Sequence, residues 1–173
     1  MRSAYLLRTA TLFAICAACS GIGAIAEAQV PTTPPPNPAQ NMNAAAPADT
    51  LKWGPAPAIF PPGAQMAVLQ GDPSAAGQIF TVRLRMPDGY IIPAHSHPTD
   101  EYVTVISGTF LVGLGDKYDA NGFMPPLEAG GFATAPAGMN HFAMARGPTE
   151  VQVHAMGPFA MTYVNPADKP AGN

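Results

Sequence analysis

Residues 79–86 carry the clearest periodicity in the chain: Phe80, Val82, Leu84 and Met86 alternate with Ile79, Thr81, Arg83 and Arg85. Side chains two apart on a strand share a face, so this segment predicts a β-strand with one apolar face turned inward. Shorter alternations of the same kind lie at 66–69, 102–106, 109–114, 132–134, 151–156 and 160–164. Turn-forming clusters separate them, among them Gly71-Asp72-Pro73, Pro87-Asp88-Gly89 and Pro136-Ala137-Gly138. Ser107-Gly108 reads as a tight hairpin link with Gly108 supplying a positive φ, and residues 115–131 as a longer connection. Trp53 is expected to pack the entry strand onto the wall. About nine or ten short strands without an amphipathic helix predict an all-β sandwich or barrel.

Composition agrees. Twenty-one prolines and seventeen glycines demand many turns, and 173 residues suffice for one ordinary domain. The N-terminal residues stand apart from that domain. Arg2 and Arg8 precede an uncharged, mostly apolar run, and Ala26-Glu27-Ala28 closes it. This is the pattern of a secretory signal peptide over 1–28, with a mature chain beginning at Gln29. Residues 29–48 hold six prolines and no charge, a polyproline-type linker. The folded domain is then expected over 49–166, with a polar tail over 167–173.

An exported protein, periplasmic or secreted, follows from that leader. Both cysteines, Cys16 and Cys19, fall inside it, so the mature chain has neither a disulfide nor a thiolate nucleophile. Removing Arg2, Arg8 and Glu27 takes the net charge from -3 to -4 (two positive charges and one negative lost). A mildly acidic chain has no basic face for nucleic acid and no attraction to anionic membranes. Lipidation at Cys19, or an uncleaved apolar run over 9–26, would be a route to a membrane anchor.

The chemistry concentrates in 89–108. His95 and His97, two apart, reach one point if they lie on a strand. Pro98 ends that strand, and Glu101 heads the next alternation, able to return to the same point from a neighbouring strand. Two neutral imidazoles and a carboxylate facing one point make a site for a divalent metal ion.

These residues resemble the cupin family. Gly89, His95, His97, Glu101 and Gly108 match its first motif in type and spacing. Gly130, Pro136, Gly138 and His141 match the second, where Ala145 replaces the motif's asparagine. The likeness spans about residues 66–164. It implies a single-domain jelly-roll β-barrel with His95, His97, Glu101 and His141 as ligands of one divalent transition metal, one of Mn, Fe, Co, Ni, Cu or Zn. It also implies a small-molecule substrate and a homodimer.

Cupins include metal-dependent oxygenases, isomerases and lyases as well as non-catalytic binding and sensing modules. The expectation carried forward is a dioxygenase-like oxidoreductase in which Glu101 is the catalytic residue and accepts a proton. Tyr102, Phe110, Phe132, Met139 and Met144 are expected to form the pocket wall, whereas His154 belongs to the outer surface or behind the ligands. The leader pattern predicts that the intact mass of the exported protein corresponds to a chain starting at Gln29. A mass that retains Cys19 with acyl chains would establish a lipoprotein instead.

Overall fold

The computed structural model describes residues 47–171. The expected leader, the start at Gln29 and nearly all of the 29–48 linker lie outside the described residues, as do both cysteines. Eight strands follow one another: β1 (Gly54–Pro55), β2 (Gln65–Gln70), β3 (Ile79–Met86), β4 (Ile91–Ser96), β5 (Glu101–Leu114), β6 (Phe132–Ala135), β7 (His141–Met156) and β8 (Thr162–Tyr163). Short 3-10 helices at Ala48–Thr50 and Pro166–Asp168 flank them.

All pairings are antiparallel. β5 and β7 are long, pair with each other along both halves, and bend together. The second half of β7 also pairs β3, while its first half pairs β4. One layer is therefore β1-β2-β3, the second half of β7, the first half of β5, and β6. The other is β8-β4, the first half of β7 and the second half of β5. Two layers joined through bent, shared strands form the jelly-roll barrel, an all-β architecture as expected.

The bend corrects the expected hairpin at Ser107-Gly108. Gly108 does have positive φ, 78°, but β5 runs through it, and the ladder to β7 shifts register on either side of Ser107. This is a bulged corner, which lets one strand serve two layers. It also reduces the expected nine or ten strands to eight, two of them long. A Cβ on Gly108 would run into the carbonyl oxygen of Pro148 and lie 2.6 Å from Thr149 Oγ1. The buried Thr149 hydroxyl accepts from Thr109 N–H at 3.3 Å and is placed to donate to the carbonyls of Gly147, 3.0 Å, and Thr109, 3.1 Å. The corner is thus closed by polar bonds that need the glycine's empty side.

Phe80, Val82, Leu84 and Met86 turn inward, as the alternation predicts, and meet Val103, Val105, Val151 and Val153 across the shared strands. Trp53 differs from expectation: it lies half-buried outside the core, with the Arg85 guanidinium 3.8 Å over its ring. A flat aromatic face on the rim attracts the cation, and β1 is too short to carry the ring inside. The 115–131 connection also does more than connect. It pairs with β5 through Phe110–Leu127 and Gly113–Phe123 bridges, and it brings Tyr118 and Phe123 onto Phe142. This aromatic cluster sits on the face of β7 opposite the barrel interior.

Alanine at Gly108 should cost markedly more stability than alanine at Gly77. Both have φ near +70° to +80°, at 78° and 71°, but no atom lies within 4 Å of a Cβ at Gly77. Gly77→Ala then carries only the left-handed backbone penalty, ~1–2 kcal/mol, and Gly108→Ala adds an overpacking cost of ~1–3 kcal/mol. Urea denaturation of the metal-free proteins measures the difference, and equal losses would refute the corner as described.

Candidate metal centre

β4 ends at Ser96, just before the His97-Pro98 pair, and presents His95 inward. His97 follows on the same face. His141 opens β7 directly across the ladder from His95, since these two are register partners. The Pro136-Ala137-Gly138 turn delivers it: Met139 N–H bonds the Pro136 carbonyl at 3.0 Å, and Gly138 N–H bonds the His97 carbonyl at 2.9 Å. Glu101 opens β5 and comes from the other layer. All four side chains are buried.

The three imidazoles are held alike. Nδ1 of His95 lies 2.6 Å from the Pro93 carbonyl oxygen, Nδ1 of His97 2.9 Å from that of Ala160, and Nδ1 of His141 3.0 Å from that of Met139. A carbonyl oxygen only accepts, so each Nδ1 carries the proton and donates it. Burial pushes all three rings below their ordinary basicity, His95 to about 3, with the neighbouring His141 and His97 adding to the effect on His95. The rings are therefore neutral near pH 7, and each Nε2 is a bare lone pair.

Those lone pairs converge. Nε2 of His95 and Nε2 of His97 are 3.2 Å apart, and one ligand nitrogen from each of the three rings lies within 4.8 Å of the others. Two bare nitrogens at 3.2 Å cannot hydrogen-bond each other; they repel unless a positive centre lies between them. Glu101 Oε2 faces the same point, 3.5 Å from His97 Nε2 and 4.0 Å from His141 Nε2. Burial raises the Glu101 carboxyl to about 7, an effect His141 opposes. Three imidazole nitrogens with their far N–H groups anchored, and one carboxylate, are a donor set that fits a divalent transition ion. This donor set does not choose among Mn, Fe, Co, Ni, Cu and Zn.

The site lines one side of a cavity between the layers. The space open to the centres of water-sized molecules is ≈ 50 Å³, several times the ~10–15 Å³ that one water needs. Among the lining residues, His95, His97, Glu101 and His141 are the titratable ones; most of the others are aliphatic, aromatic or methionine.

The wall differs from the expected one. Of the five expected residues Phe110 lines the cavity, while Tyr102, Phe132, Met139 and Met144 do not. Strand parity explains three of these. Glu101, Val103 and Val105 point inward, which turns Tyr102 out, and its partner strand turns Phe132 out beside it, the rings 6.4 Å apart. His141 and Ala143 point inward, which sends Met144 outward, 3.5 Å from the Tyr118 hydroxyl. Met139 sits exposed in the turn before β7. The wall comes instead from inward positions such as Val103, Val112 and Val151, together with Leu114 and Met124.

Two contributors escaped the sequence reading. Ala160 supplies the carbonyl that orients His97, and Phe159 stacks on the His97 ring at 5.6 Å and 19°. A main-chain acceptor has no sequence signature, and Phe159 belongs to no alternating run. Ala145, where the motif has asparagine, is fully buried within β7. Its N–H bonds Tyr90 O and its carbonyl accepts from Gly89 N–H, both at 2.9 Å. His154 lies on the outer face, bonded to Thr81 Oγ1 at 2.9 Å and to Gln152 at 3.1 Å.

Solved structures share this architecture. A cupin from Shewanella frigidimarina has 16% identity and a TM-score of 0.51, over 64% of this chain and 87% of its own. A protein from Methylibium petroleiphilum assigned as an acetylacetone dioxygenase has 22% identity and a TM-score of 0.55, over 74% and 85%. The polyketide cyclase RemF from Streptomyces resistomycificus has 18% identity and a TM-score of 0.56, over 73% and 88%. No protein-family description matches the chain, and no curated protein does. The fold is that of the cupins, and the three histidines form a constellation that can hold a metal ion.

The buried site should make the metal-free protein acid-sensitive. A histidine held neutral by burial contributes stability above its ordinary value of 6.5, and that contribution is lost as pH falls toward the folded value, about 3 for His95. Glu101 acts oppositely: raised from 4.5 to about 7, its contribution is present at low pH and lost as pH rises through that window. Three histidines outweigh one glutamate, so melting temperature should fall as pH drops from 6.5 to 4.5. Glu101→Gln removes the opposing group and should steepen the fall. Thermal melts at several pH values test this, and a flat or inverted profile would contradict it.

Proposed function

We propose that the protein is a metal-dependent oxidoreductase of dioxygenase type acting on a small organic substrate. The observation that carries this is the set of three bare Nε2 atoms on one side of a largely apolar cavity. His95, His97, His141 and Glu101 would hold the ion. A divalent ion there would supply Lewis acidity and positions for oxygen donors.

The chain's own groups supply the rest. The apolar wall excludes water and holds a carbon skeleton. Glu101, on releasing its hold on the ion, would be placed to take a proton from an acidic C–H or enol O–H of the substrate. The acetylacetone dioxygenase assignment of one structural neighbour is in keeping with such an enolisable substrate. The activity would belong to the exported, cysteine-free mature chain whose leader pattern lies in residues 1–28.

Reconstitution with each of Mn, Fe, Co, Ni, Cu and Zn, followed by oxygen uptake with enolisable substrates, tests the reading. Uptake with at least one ion, abolished in Glu101→Gln, is expected. Stoichiometric binding of every ion with no uptake would replace it with a binding module.

His141 should couple metal binding to folding, because it joins His95 and His97 only once β7 pairs β4. An ion at 100 times its dissociation constant adds about 2.7 kcal/mol to the wild type. His141→Ala should lose most of that stabilisation and bind metal far more weakly, while His154→Ala should match the wild type in both. Bound metal per chain and melts with and without added ion decide it. A full equivalent of metal and an unchanged thermal shift in His141→Ala would remove it from the ligand set.

A further inference from the structure

The cavity's chemistry narrows the ligand further, resting on the proposed metal site. The donor atoms lie on one side only. Among the described residues no arginine or lysine lines the cavity, and beyond the four proposed ligands no side chain with a charge does. A dicarboxylate or phosphate would bring negative charge into an apolar space with no side-chain cation to meet it, at a high desolvation cost. A sugar would leave most of its hydroxyls facing carbon. What fits is a molecule whose polar atoms are gathered at one end.

Size sets the other limit. The ≈ 50 Å³ open to the centres of water-sized molecules is room for a few waters, enough for a head group and the first carbons beyond it. Any longer molecule must leave past the cavity's rim, and two of the lining side chains there are both large, apolar and exposed: Leu114, 53%, and Met124, 40%. Leu114 is the register partner of His141, one step from the proposed ion. Met124 is fixed beside it by its N–H bond to the Val112 carbonyl, 2.8 Å, in the connection that pairs with β5.

We propose that the site takes uncharged chelating molecules, a pair of neighbouring oxygens at one end and an alkyl tail at the other, with Leu114 and Met124 as the specificity-determining residues that grip the tail. The oxygens address the metal side. The first carbons fill the apolar cavity, and the next ones leave over the two rim side chains.

The test uses Co-loaded protein and follows the visible cobalt spectrum on titration with acetylacetone, with homologues lengthened on one carbonyl, and with malonate. Affinity should rise about fourfold per added methylene over the first few carbons, the gain expected for burying a methylene against apolar surface. That increment should collapse in Leu114→Ser and in Met124→Ser, both at exposed positions whose replacement leaves the core intact. Malonate should bind more weakly than acetylacetone. A length-independent affinity in the wild type, or an unchanged increment in both variants, would overturn the rim's role while leaving the metal site standing. Malonate binding tighter than acetylacetone would overturn the uncharged class. If metal loads but no dione perturbs the spectrum at any length, the chelating site itself fails, and the proposal with it.

Discussion

The bent ladder between β5 and β7 is the constraint on which everything else rests. Each strand lends one half to each layer, so the layers cannot separate without unbending both strands at the corner. The proposed centre straddles that joint: His95 and His141 are cross-strand partners in one layer, and Glu101 arrives at the start of β5 in the other. The Gly108 corner, closed on Thr149, therefore helps bring together donor atoms that lie far from it along the strands.

Much of this was legible. Period two in 79–86 identified the inward face residue by residue, because a sheet buried on one side enforces alternation. The His-x-His pair before Pro98 and His141 after a Pro-x-Gly turn located the three histidines that the structure gathers, and Glu101, heading the next strand, lies beside two of them. Illegible were long-range decisions. Ser107-Gly108 has the composition of a hairpin, and only its opposition to Pro148 and Thr149 makes it a bulge. Tyr102, Phe132 and Met144 look like wall residues by type, yet strand parity, fixed by the positions of Glu101 and His141, turns them outward. The contributions of Ala160 and Phe159 depend on a loop arriving from elsewhere in the chain.

The site is also a cost that the fold carries. Four groups able to bear charge are buried beside aliphatic carbon, with nitrogen lone pairs facing one another at 3.2 Å. Such an arrangement weakens a metal-free domain and gains by accepting a cation. The core opposite, with Phe80, Val82, Val151 and Val153 almost wholly inaccessible, supplies the apolar burial that tolerates it.

The acceptors that orient the three imidazoles are all main-chain oxygens, from Pro93, Met139 and Ala160. A carboxylate in that role could be lost or exchanged by one nucleotide change; a carbonyl is present whatever residue occupies the position. Random substitution at these three places can therefore alter local shape but cannot delete the acceptor. The same protection restricts innovation. A lineage wishing to retune the basicity of these rings has no side chain to swap and must reshape a turn or a loop instead, so drift in the cavity's carbon lining is the easier route to new chemistry on this scaffold.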